Sequence, residues 1–234
     1  NIDIVLHTAI KGGARGHEDT YEDFVQNVTM FNNLLGIRDH VKKIINFGSG
    51  ASFDRRRDIN LFSEHEIYSS FYLPNADYYG LAKNLICKEI LRVDDNIINF
   101  RIFGCFGIHE KETRFIKSAI NSYKNKEPII IHKDKKMDFF YAEDLCMVIE
   151  TCIKGNKHDW HTPVTDLNIV YDEKMTLLEI AQYINGLSDY KVEIKILNDK
   201  FDKHYTGDGK TLACYRIPFV GLKRGIKNVY DSLM

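Results

Sequence analysis

Residues 44–50 read Ile44-Ile45-Asn46-Phe47-Gly48-Ser49-Gly50, a short apolar run that ends in a serine between two glycines. A run of this length, rich in β-branched residues, is typical of a strand buried on both faces of a parallel sheet. Open α/β sheets place their ligands at the carboxyl ends of such strands. The sequence therefore predicts that Ser49 lies at a ligand-binding edge.

The segments on either side alternate between strand and helix. Residues 2–7 predict a buried strand, and an apolar stripe predicts a helix from about Asp19. Farther along, residues 76–92 predict a helix and residues 97–103 predict the next strand. This alternation predicts an α/β fold, in which crossover helices cover the faces of a parallel sheet.

The second half of the chain is more mixed. Residues 128–131 and the alternating residues 192–196 predict strands, whereas residues 141–153 predict a helix. Thr176 and Glu179 have the spacing of a capping box, so another helix is expected directly after Thr176.

The composition is that of an ordinary globular protein, with 44% hydrophobic residues, 28% charged residues and a formal net charge of −1. No apolar run approaches the ~18–20 residues that span a bilayer, and the first residues lack the pattern of a secretion signal. The five cysteines are scattered without a CxxC pair, which is typical of a reducing compartment. We therefore expect a cytoplasmic protein that binds neither nucleic acid nor membrane.

Tyr79 and Lys83 lie four positions apart, one helical turn, on the same face of the predicted helix. An unperturbed phenol has a pKa of about 10, and a neighbouring ammonium is expected to lower it towards neutrality. Such a pair can exchange a proton with a carbonyl or an alcohol. In an arbitrary protein the same spacing usually means two partly exposed side chains. Ser49, 30 residues earlier at a strand end, favours a catalytic set.

The order of these features resembles that of the extended short-chain dehydrogenases, the epimerase/dehydratase family. The shared order is strand, glycine-rich loop, helix, strand with Ser49, helix with Tyr79 and Lys83, and a strand followed by Arg-x-Phe. Residues 7–13, Asn27 and residues 137–144 are also similar to segments of that family. Within the family, the chain is most similar to GDP-fucose synthases and related 4-keto-sugar-nucleotide reductases.

The resemblance implies a Rossmann-like, doubly wound parallel sheet with a smaller mixed α/β C-terminal domain. The dinucleotide-binding domain would comprise residues 1–107 and about 137–156, and the sugar-nucleotide substrate domain about 108–136 and 157–234. Family members begin with a strand and a G-x-x-G-x-x-G turn for the pyrophosphate, so roughly fifty to sixty residues are expected to precede Asn1. The residue that selects between NAD and NADP would lie among them.

The resemblance also implies roles for individual residues. The family's catalytic triad falls on Ser49, Tyr79 and Lys83, and Lys83 would also hold the nicotinamide ribose of NADP or NAD. A hydride from the nicotinamide would reach a sugar carbonyl while Tyr79 supplies the proton. The expected cofactor-binding residues are His7, Thr8, Ala9, Lys83 and Phe103. The expected substrate-binding residues are Gly12, Gly13, Ser49, Ala51, Gly104 and Lys136.

Differences from the family pattern favour simple ketone reduction. Reductases that also epimerise have a cysteine two residues after the serine, where this chain has Ala51, and His109 lies too near Gly107 to match their histidine. Dehydratases have Asp-Glu after the serine or threonine, where Gly50 and Ala51 stand here. The expected activity is NAD(P)H-dependent reduction of a 4-keto nucleotide-activated sugar, with Tyr79 as the general acid.

Two alternatives stay open. A nucleotide-sugar 4-epimerase uses the same triad and retains its NAD. A non-catalytic dinucleotide-binding or regulatory protein is suggested by Gly104 and Met137, which replace an asparagine and an arginine of the family. In either case the helices near Asp19 and 76–92 would form the dimer interface common in the family, so we expect a homodimer.

Three polar clusters have ordinary interpretations as well. Lys135 and Lys136 fit either a contact with a substrate diphosphate or a solvated turn. Residues 55–57, three arginines, are either solvated or border the substrate. His158 and His161 lack a third ligand nearby, so no metal site is expected.

Overall fold

The computed structural model describes residues 2–13, 18–70, 77–93, 96–155 and 165–233. The strands are β1 (Ile4–His7), β2 (Lys43–Ser49), β3 (Ile59–Phe62), β4 (Ile97–Ile102), β5 (Cys105–Phe106), β6 (Ile129–Lys133), β7 (Phe140–Tyr141), β8 (Asp166–Ile169), β9 (Ile194–Asn198) and β10 (Tyr205–Gly207). The α-helices are α1 (Tyr21–Leu35), α2 (Tyr78–Val93), α3 (Phe115–Lys124), α4 (Ala142–Lys154), α5 (Leu177–Ile184), α6 (Lys210–Ala213) and α7 (Leu222–Ser232). Short 3₁₀ helices cover Arg38–His40, Gly50–Phe53 and Glu64–Ser69.

The central sheet has four described strands in the order β1-β2-β4-β8, and every neighbouring pair is parallel. Each of these strands is followed by a segment that crosses back to the other end of the sheet, as a parallel arrangement requires. The α/β fold predicted from the sequence is confirmed. The sequence does not predict strand β8, because its residues, Asp-Leu-Asn-Ile, lack the apolar run of the other strands of this sheet.

Helices cover both faces of the central sheet, which makes it doubly wound. On one face, α1 and α2 pack through Phe31, Ile86 and Ile90 against Ile44 and Ile97. On the other face, α4 packs against alternate positions of the same strands, in a cluster that includes Ile45, Ile98, Phe100, Leu145, Val148 and Leu167. Because successive strand residues point to opposite faces, each Ile-Ile pair supplies one side chain to each core.

A second hydrophobic cluster lies in the C-terminal half, around the parallel pair β6–β9. Helices α3, α5 and α7 pack on this pair through buried residues that include Ile116, Ile120, Ile129, Ile180, Ile184 and Ile226. Strand β9 is half exposed, with Leu197 outside, as its alternating sequence predicts. The smaller mixed α/β part expected from the resemblance is therefore present.

The helix starts follow the local sequence. Thr20 caps α1 in a capping box with Asp23, one residue after the predicted start at Asp19. Thr176 and Glu179 form the predicted capping box of α5. Helix α2 begins at Tyr78; the predicted start at Ala76 lies outside the described residues.

The small pair β3–β10 brings the far end of the chain to the carboxyl edge of the central sheet. The two strands are parallel, with Tyr205 beside Ile59, and β10 contacts the 3₁₀ helix that follows β2. This close approach depends on glycine at Gly50 and Gly207. A Cβ atom at either position would lie 2.5 or 2.7 Å from the ring of Phe103, which fills the space between them.

Candidate active site

The structure brings Ser49, Tyr79 and Lys83 together at the carboxyl end of β2. Ser49 is the last residue of that strand and is 8% exposed. The Tyr79 phenol, from the first turn of α2, lies close enough to the Ser49 hydroxyl for that group to lower its pKa. One turn farther along α2, the Lys83 Nζ lies 5.9 Å from the centre of the Tyr79 ring. The two elements thus place a hydroxyl, a phenol and an ammonium close together, and the region beside these three groups is called the cleft below.

Lys83 is buried beside the cleft, and its ammonium has more N–H donors than hydrogen bonds within the described residues. Its side chain is buried, and its Nζ donates to the Phe47 carbonyl oxygen at 2.6 Å. An ammonium has three N–H donors, so within the described residues two of them are available to a ligand. Burial lowers the pKa of Lys83 from 10.5 to about 8.

The predicted direction of the Tyr79 pKa is wrong for this structure. Burial raises the pKa of the phenol, and this effect exceeds the opposing effects of the Ser49 hydrogen bond and the Arg55 charge. The four-residue spacing of Tyr79 and Lys83 indicated their proximity but could not indicate how deeply both are buried. A phenol in this state keeps its proton at neutral pH and is therefore poised as an acid.

Arg55 covers the outer side of the phenol. Its guanidinium carbon lies 5.8 Å from the centre of the Tyr79 ring, and its Nη2 forms an ion pair with Asp77 at 2.7 Å. Asp77 also accepts a hydrogen bond from the Gly80 backbone N–H at 2.8 Å, which anchors the start of α2. Of the two interpretations given to residues 55–57, the geometry of Arg55 fits a position bordering the site.

The loop after β1 closes over the same cleft. Asn27 on α1 clamps this loop, since its side chain accepts from the Lys11 N–H at 2.8 Å and donates to the Lys11 carbonyl at 2.9 Å. Gly12 and Gly13 have positive φ angles of 77° and 70°. A Cβ atom on Gly13 would lie 2.5 Å from the Tyr79 ring, so the backbone of Gly13 rests directly on the phenol.

The expected cofactor-binding residues of β1 lie at the neighbouring strand end. His7 is buried, and its Nδ1 is 2.9 Å from the Asn46 Oδ1. Burial lowers the pKa of His7, the hydrogen bond to Asn46 opposes this, and the positive charge of Lys83 adds to it. Thr8 and Ala9 follow immediately and are exposed. His7 and Lys83 thus lie near enough for the ammonium charge to act on the imidazole.

The remaining expected site residues differ in their distance from Ser49. Ala51 is buried and donates its backbone N–H to the Ser49 Oγ at 3.2 Å. Phe103 is buried between the two glycines described above. Gly104 lies against the backbone of the chain at 138, where a Cβ atom would be 2.6 Å from a carbonyl oxygen. Lys136 is exposed, and its carbonyl accepts from the Tyr205 N–H at 3.0 Å.

Tyr205 is a residue beside the site that sequence reasoning missed. Its hydroxyl lies close enough to Ser49 for the serine to lower its pKa, and its ring centre lies 5.1 Å from that of Phe103. The chain has 13 tyrosines, and this one lies on a three-residue strand without a motif. The β3–β10 pairing, together with backbone hydrogen bonds to residues 136 and 138, brings it to the site.

A row of buried polar side chains supports the site from within the sheet. His7, Asn46, Asn99 and Asp166 lie side by side on adjacent strands. Asn46 donates to the Asn99 Oδ1 at 2.7 Å, and Asn99 donates to the Asp166 Oδ1 at 2.7 Å. At the end of the row, Asp166 forms a buried ion pair with Arg101.

The Arg101 guanidinium links this row to the turn after Ser49. It is fully buried, and its Nε donates to the Ser52 Oγ at 3.1 Å. Its Nη1 donates to the Asn168 Oδ1 at 2.9 Å. Every polar group of the guanidinium region thus has a partner on a neighbouring element, as burial of a charge requires. The turn that carries Ser49 is held in place from below.

A family model for NAD-dependent epimerases and dehydratases matches residues 1–164, well over half of the 234 residues. The chain belongs to the NAD-dependent epimerase/dehydratase family. The resemblance inferred from the sequence motifs is therefore confirmed. Among curated proteins, none matches this sequence.

Solved structures of this family share the fold at low sequence identity. UDP-glucuronic acid 4-epimerase from Bacillus cereus, in complex with UDP-glucuronic acid and NAD, is 20% identical with a TM-score of 0.75, covering 98% of this chain and 74% of that chain. GDP-mannoheptose C4 reductase from Campylobacter jejuni, with NADP bound, is 18% identical with a TM-score of 0.74, covering 98% and 80%. UDP-glucose 4-epimerase from Thermus thermophilus, in complex with NAD, is 15% identical with a TM-score of 0.73, covering 100% and 79%.

Within the described residues, no group of three or more His, Cys, Asp or Glu side chains could hold a metal ion. His158 and His161 lie outside those residues. Over the same part of the chain, no helix has the length and apolar character needed to cross a bilayer.

Proposed function

We propose that this member of the epimerase/dehydratase family binds NADP or NAD and reduces a 4-keto nucleotide-activated sugar. The observation that supports this most is the convergence of Ser49, Tyr79 and Lys83 in one cleft at the carboxyl end of β2. A hydroxyl, a protonated phenol and a buried ammonium are the groups that carbonyl reduction by a nicotinamide requires from the protein.

The described residues fit a nicotinamide ribose beside Lys83. The two spare N–H donors of this buried ammonium suit a pair of ribose hydroxyls, because each unmade hydrogen bond of a buried charge is costly. His7, Thr8 and Ala9 would line the other side at the end of β1. When bound, the nicotinamide supplies a hydride to the sugar carbonyl carbon.

Tyr79 would supply the matching proton. Its burial raises the pKa, so the phenol is protonated at neutral pH and can deliver its proton to the carbonyl oxygen as the hydride arrives at carbon. Ser49 would donate a hydrogen bond to the same oxygen and hold it in line. The phenolate left behind is stabilised by the positive charges of Arg55 and Lys83, which flank the ring.

The sugar nucleotide would bind mostly to the C-terminal part. We propose residues 1–107 and about 137–156 as the dinucleotide-binding domain, with about 108–136 and 157–234 holding the sugar nucleotide. Gly12, Gly13, Ala51, Gly104 and Lys136 remain the proposed substrate contacts. A homodimer through α1 and α2 is also proposed, because these helices expose Tyr21, Val25 and Leu85.

A nucleotide-sugar 4-epimerase is the second candidate. The Bacillus cereus and Thermus thermophilus epimerases have the same fold with TM-scores of 0.75 and 0.73, close to the 0.74 of the Campylobacter jejuni reductase. In an epimerase, Tyr79 would first accept the proton of the sugar hydroxyl and later return it. Reduction is favoured here because burial raises the pKa of Tyr79, which suits the phenol to giving a proton rather than to taking one from a sugar hydroxyl.

The test uses the purified full-length protein and its bound small molecules. Mass spectrometry of the released ligand identifies any dinucleotide, and loss of reduced-nicotinamide absorbance with a 4-keto nucleotide sugar measures reduction. The reductase predicts exchangeable NADPH or NADH consumed in proportion to the sugar. Tightly retained NAD with interconversion of two hexose epimers, and no net consumption, would establish the epimerase instead. Dinucleotide binding without either reaction would contradict both enzymes and leave the non-catalytic alternative.

A further inference from the structure

The polar row inside the sheet, formed by His7, Asn46, Asn99 and Asp166, has a direction. Asp166 is paired with Arg101, whose guanidinium stays positively charged, so Asp166 is a carboxylate that can only accept hydrogen bonds. The amide nitrogen of Asn99 must therefore face it, at 2.7 Å from the Asp166 Oδ1. The amide oxygen of Asn99 is left to face the next residue of the row.

This direction passes from one amide to the next. The Asn46 nitrogen donates to the Asn99 Oδ1 at 2.7 Å, which leaves the Asn46 oxygen facing His7. That oxygen carries no proton and lies 2.9 Å from the His7 Nδ1, so the imidazole must be the donor. The hydrogen bonds of the row thus specify the Nδ1–H form of His7. In a neutral ring of this form, Nε2 carries the lone pair and is an acceptor.

The imidazole that carries this acceptor lies close to the Lys83 ammonium. His7 pairs with Asn46 across β1 and β2, and the next carbonyl of β2, that of Phe47, accepts from the Lys83 Nζ at 2.6 Å. Among the described residues, no hydrogen bond reaches the His7 Nε2. Burial lowers the pKa of His7, the hydrogen bond to Asn46 opposes this, and the charge of Lys83 adds to it. The ring is therefore neutral at pH 7.

We propose that the polar row fixes His7 as the Nδ1–H tautomer, and that its Nε2 accepts a hydrogen bond from a ribose hydroxyl of the dinucleotide. Asn46, Asn99 and Asp166 are then positioning residues, because they act on the ligand only through His7. The choice of ligand rests on the proposed function. A hydroxyl that accepts an N–H of Lys83 still has its own proton to donate, and the Nε2 lone pair can accept that proton. The opposite tautomer would present a second donor instead.

NMR of the full-length protein with ¹⁵N-labelled histidine tests the tautomer directly. Protonated and unprotonated ring nitrogens have well-separated ¹⁵N shifts, and the signals lost in His7→Phe identify those of His7. The dinucleotide-free wild type should show a protonated Nδ1 and an unprotonated Nε2. The opposite tautomer, or an average of the two, would overturn the proposal, and this result depends on no variant of the row.

Asn99→Leu tests whether the row transmits its direction. Leucine keeps the branched shape of asparagine but breaks the link between Asp166 and Asn46, two strands away from β1. We expect the His7 signals to move towards an average of both tautomers, and NADPH to bind about 2–10-fold more weakly, the effect of roughly one hydrogen bond. Asn185→Ala removes an amide that bonds the Val192 backbone in the second cluster, and should change neither property. Unchanged His7 signals in folded Asn99→Leu would refute the role of the row.

NADPH tests the ligand assigned to Nε2. Its addition should shift the Nε2 signal of the wild type, and His7→Phe should raise the Kd for NADPH about 2–10-fold. Bound NADPH that leaves the Nε2 signal in place would refute the ribose contact. If the full-length protein binds neither NADPH nor NADH, the proposed function fails and the ligand assigned to Nε2 fails with it. The spectrum of the free protein then decides the tautomer alone.

Discussion

Replacing Lys83 by methionine should stabilise the protein in the absence of dinucleotide. Burial lowers the pKa of this amine from 10.5 to about 8. Since one pH unit corresponds to ~1.4 kcal/mol, keeping the ammonium charged inside the fold costs about 3 kcal/mol. Methionine fills similar space and forfeits the hydrogen bond to the Phe47 carbonyl, worth about 1 kcal/mol. The net gain in free energy of unfolding at pH 7 is therefore about 2 kcal/mol, or roughly 4–8 °C in Tm for a chain of this size.

The pH dependence of this gain identifies its cause. The pKa of Lys83 is lower in the folded than in the unfolded chain, so between pH 8 and 10.5 the unfolded chain binds more protons. Wild-type stability from this group must then rise with pH across that window. The advantage of Lys83→Met should shrink as the pH rises from 8 and reverse to a loss of about 1 kcal/mol above 10.5, where only the forfeited hydrogen bond remains.

The assay is thermal or denaturant unfolding of the dinucleotide-free proteins, because a bound ligand would stabilise only the wild type. Lys88→Met is the matched control on the same helix. Its amine also donates to a carbonyl, that of Ser70 at 2.6 Å, but it is only partly buried, so little change is expected. A lower Tm for Lys83→Met, or a gain that is the same at pH 7 and above 10.5, would refute the reasoning.

Other changes test the site and its support. Tyr79→Phe should lower kcat about 10²–10⁴-fold, since the general acid is lost, while unfolding curves stay within error of the wild type; unchanged turnover would remove this phenol from the mechanism. Gly13→Ala should lower turnover in steady-state assays because its Cβ would lie 2.5 Å from the Tyr79 ring, whereas Gly221→Ala, also at positive φ but with nothing within 4 Å, should cost stability only. Asp166→Asn should lower the free energy of unfolding in urea by roughly 3 kcal/mol by leaving the Arg101 charge buried without its counter-ion; a loss below ~1 kcal/mol would show that the pair is solvated.

The sequence predicts those strands of the fold that consist of apolar runs. Residues 44–50 and 97–103 do so, and both strands lie where expected. Strand β8 carries buried Asp166 and Asn168 instead. These polar residues are tolerated inside because Arg101 and Asn99 pair with them, and a pairing between distant residues leaves no local signal.

The candidate site likewise contains residues that the sequence predicts and one residue that it does not. Tyr79 and Lys83 could be found because one helical turn separates them, and Ser49 because it ends a strand. Tyr205 depends on the pairing of a three-residue strand with β3. The direction of the Tyr79 pKa depends on burial. Neither the β3–β10 pairing nor the burial of Tyr79 follows from the spacing of residues in the sequence. Both become apparent only in the folded structure.

The polar row inside the sheet also governs how the strands find their alignment. Strands β2 and β4 contain the same tetrapeptide, Ile-Ile-Asn-Phe, and pair it with itself, Asn46 opposite Asn99. Aliphatic neighbours alone would tolerate sliding, since isoleucine packs against isoleucine or phenylalanine at nearly equal cost. A register shift of two residues would leave both side-chain amides buried without this hydrogen bond. The cost would be about 1–3 kcal/mol of stability for each amide. The paired asparagines therefore specify the register of the two strands. We expect a substitution of one asparagine during evolution to be accompanied by a substitution of the other.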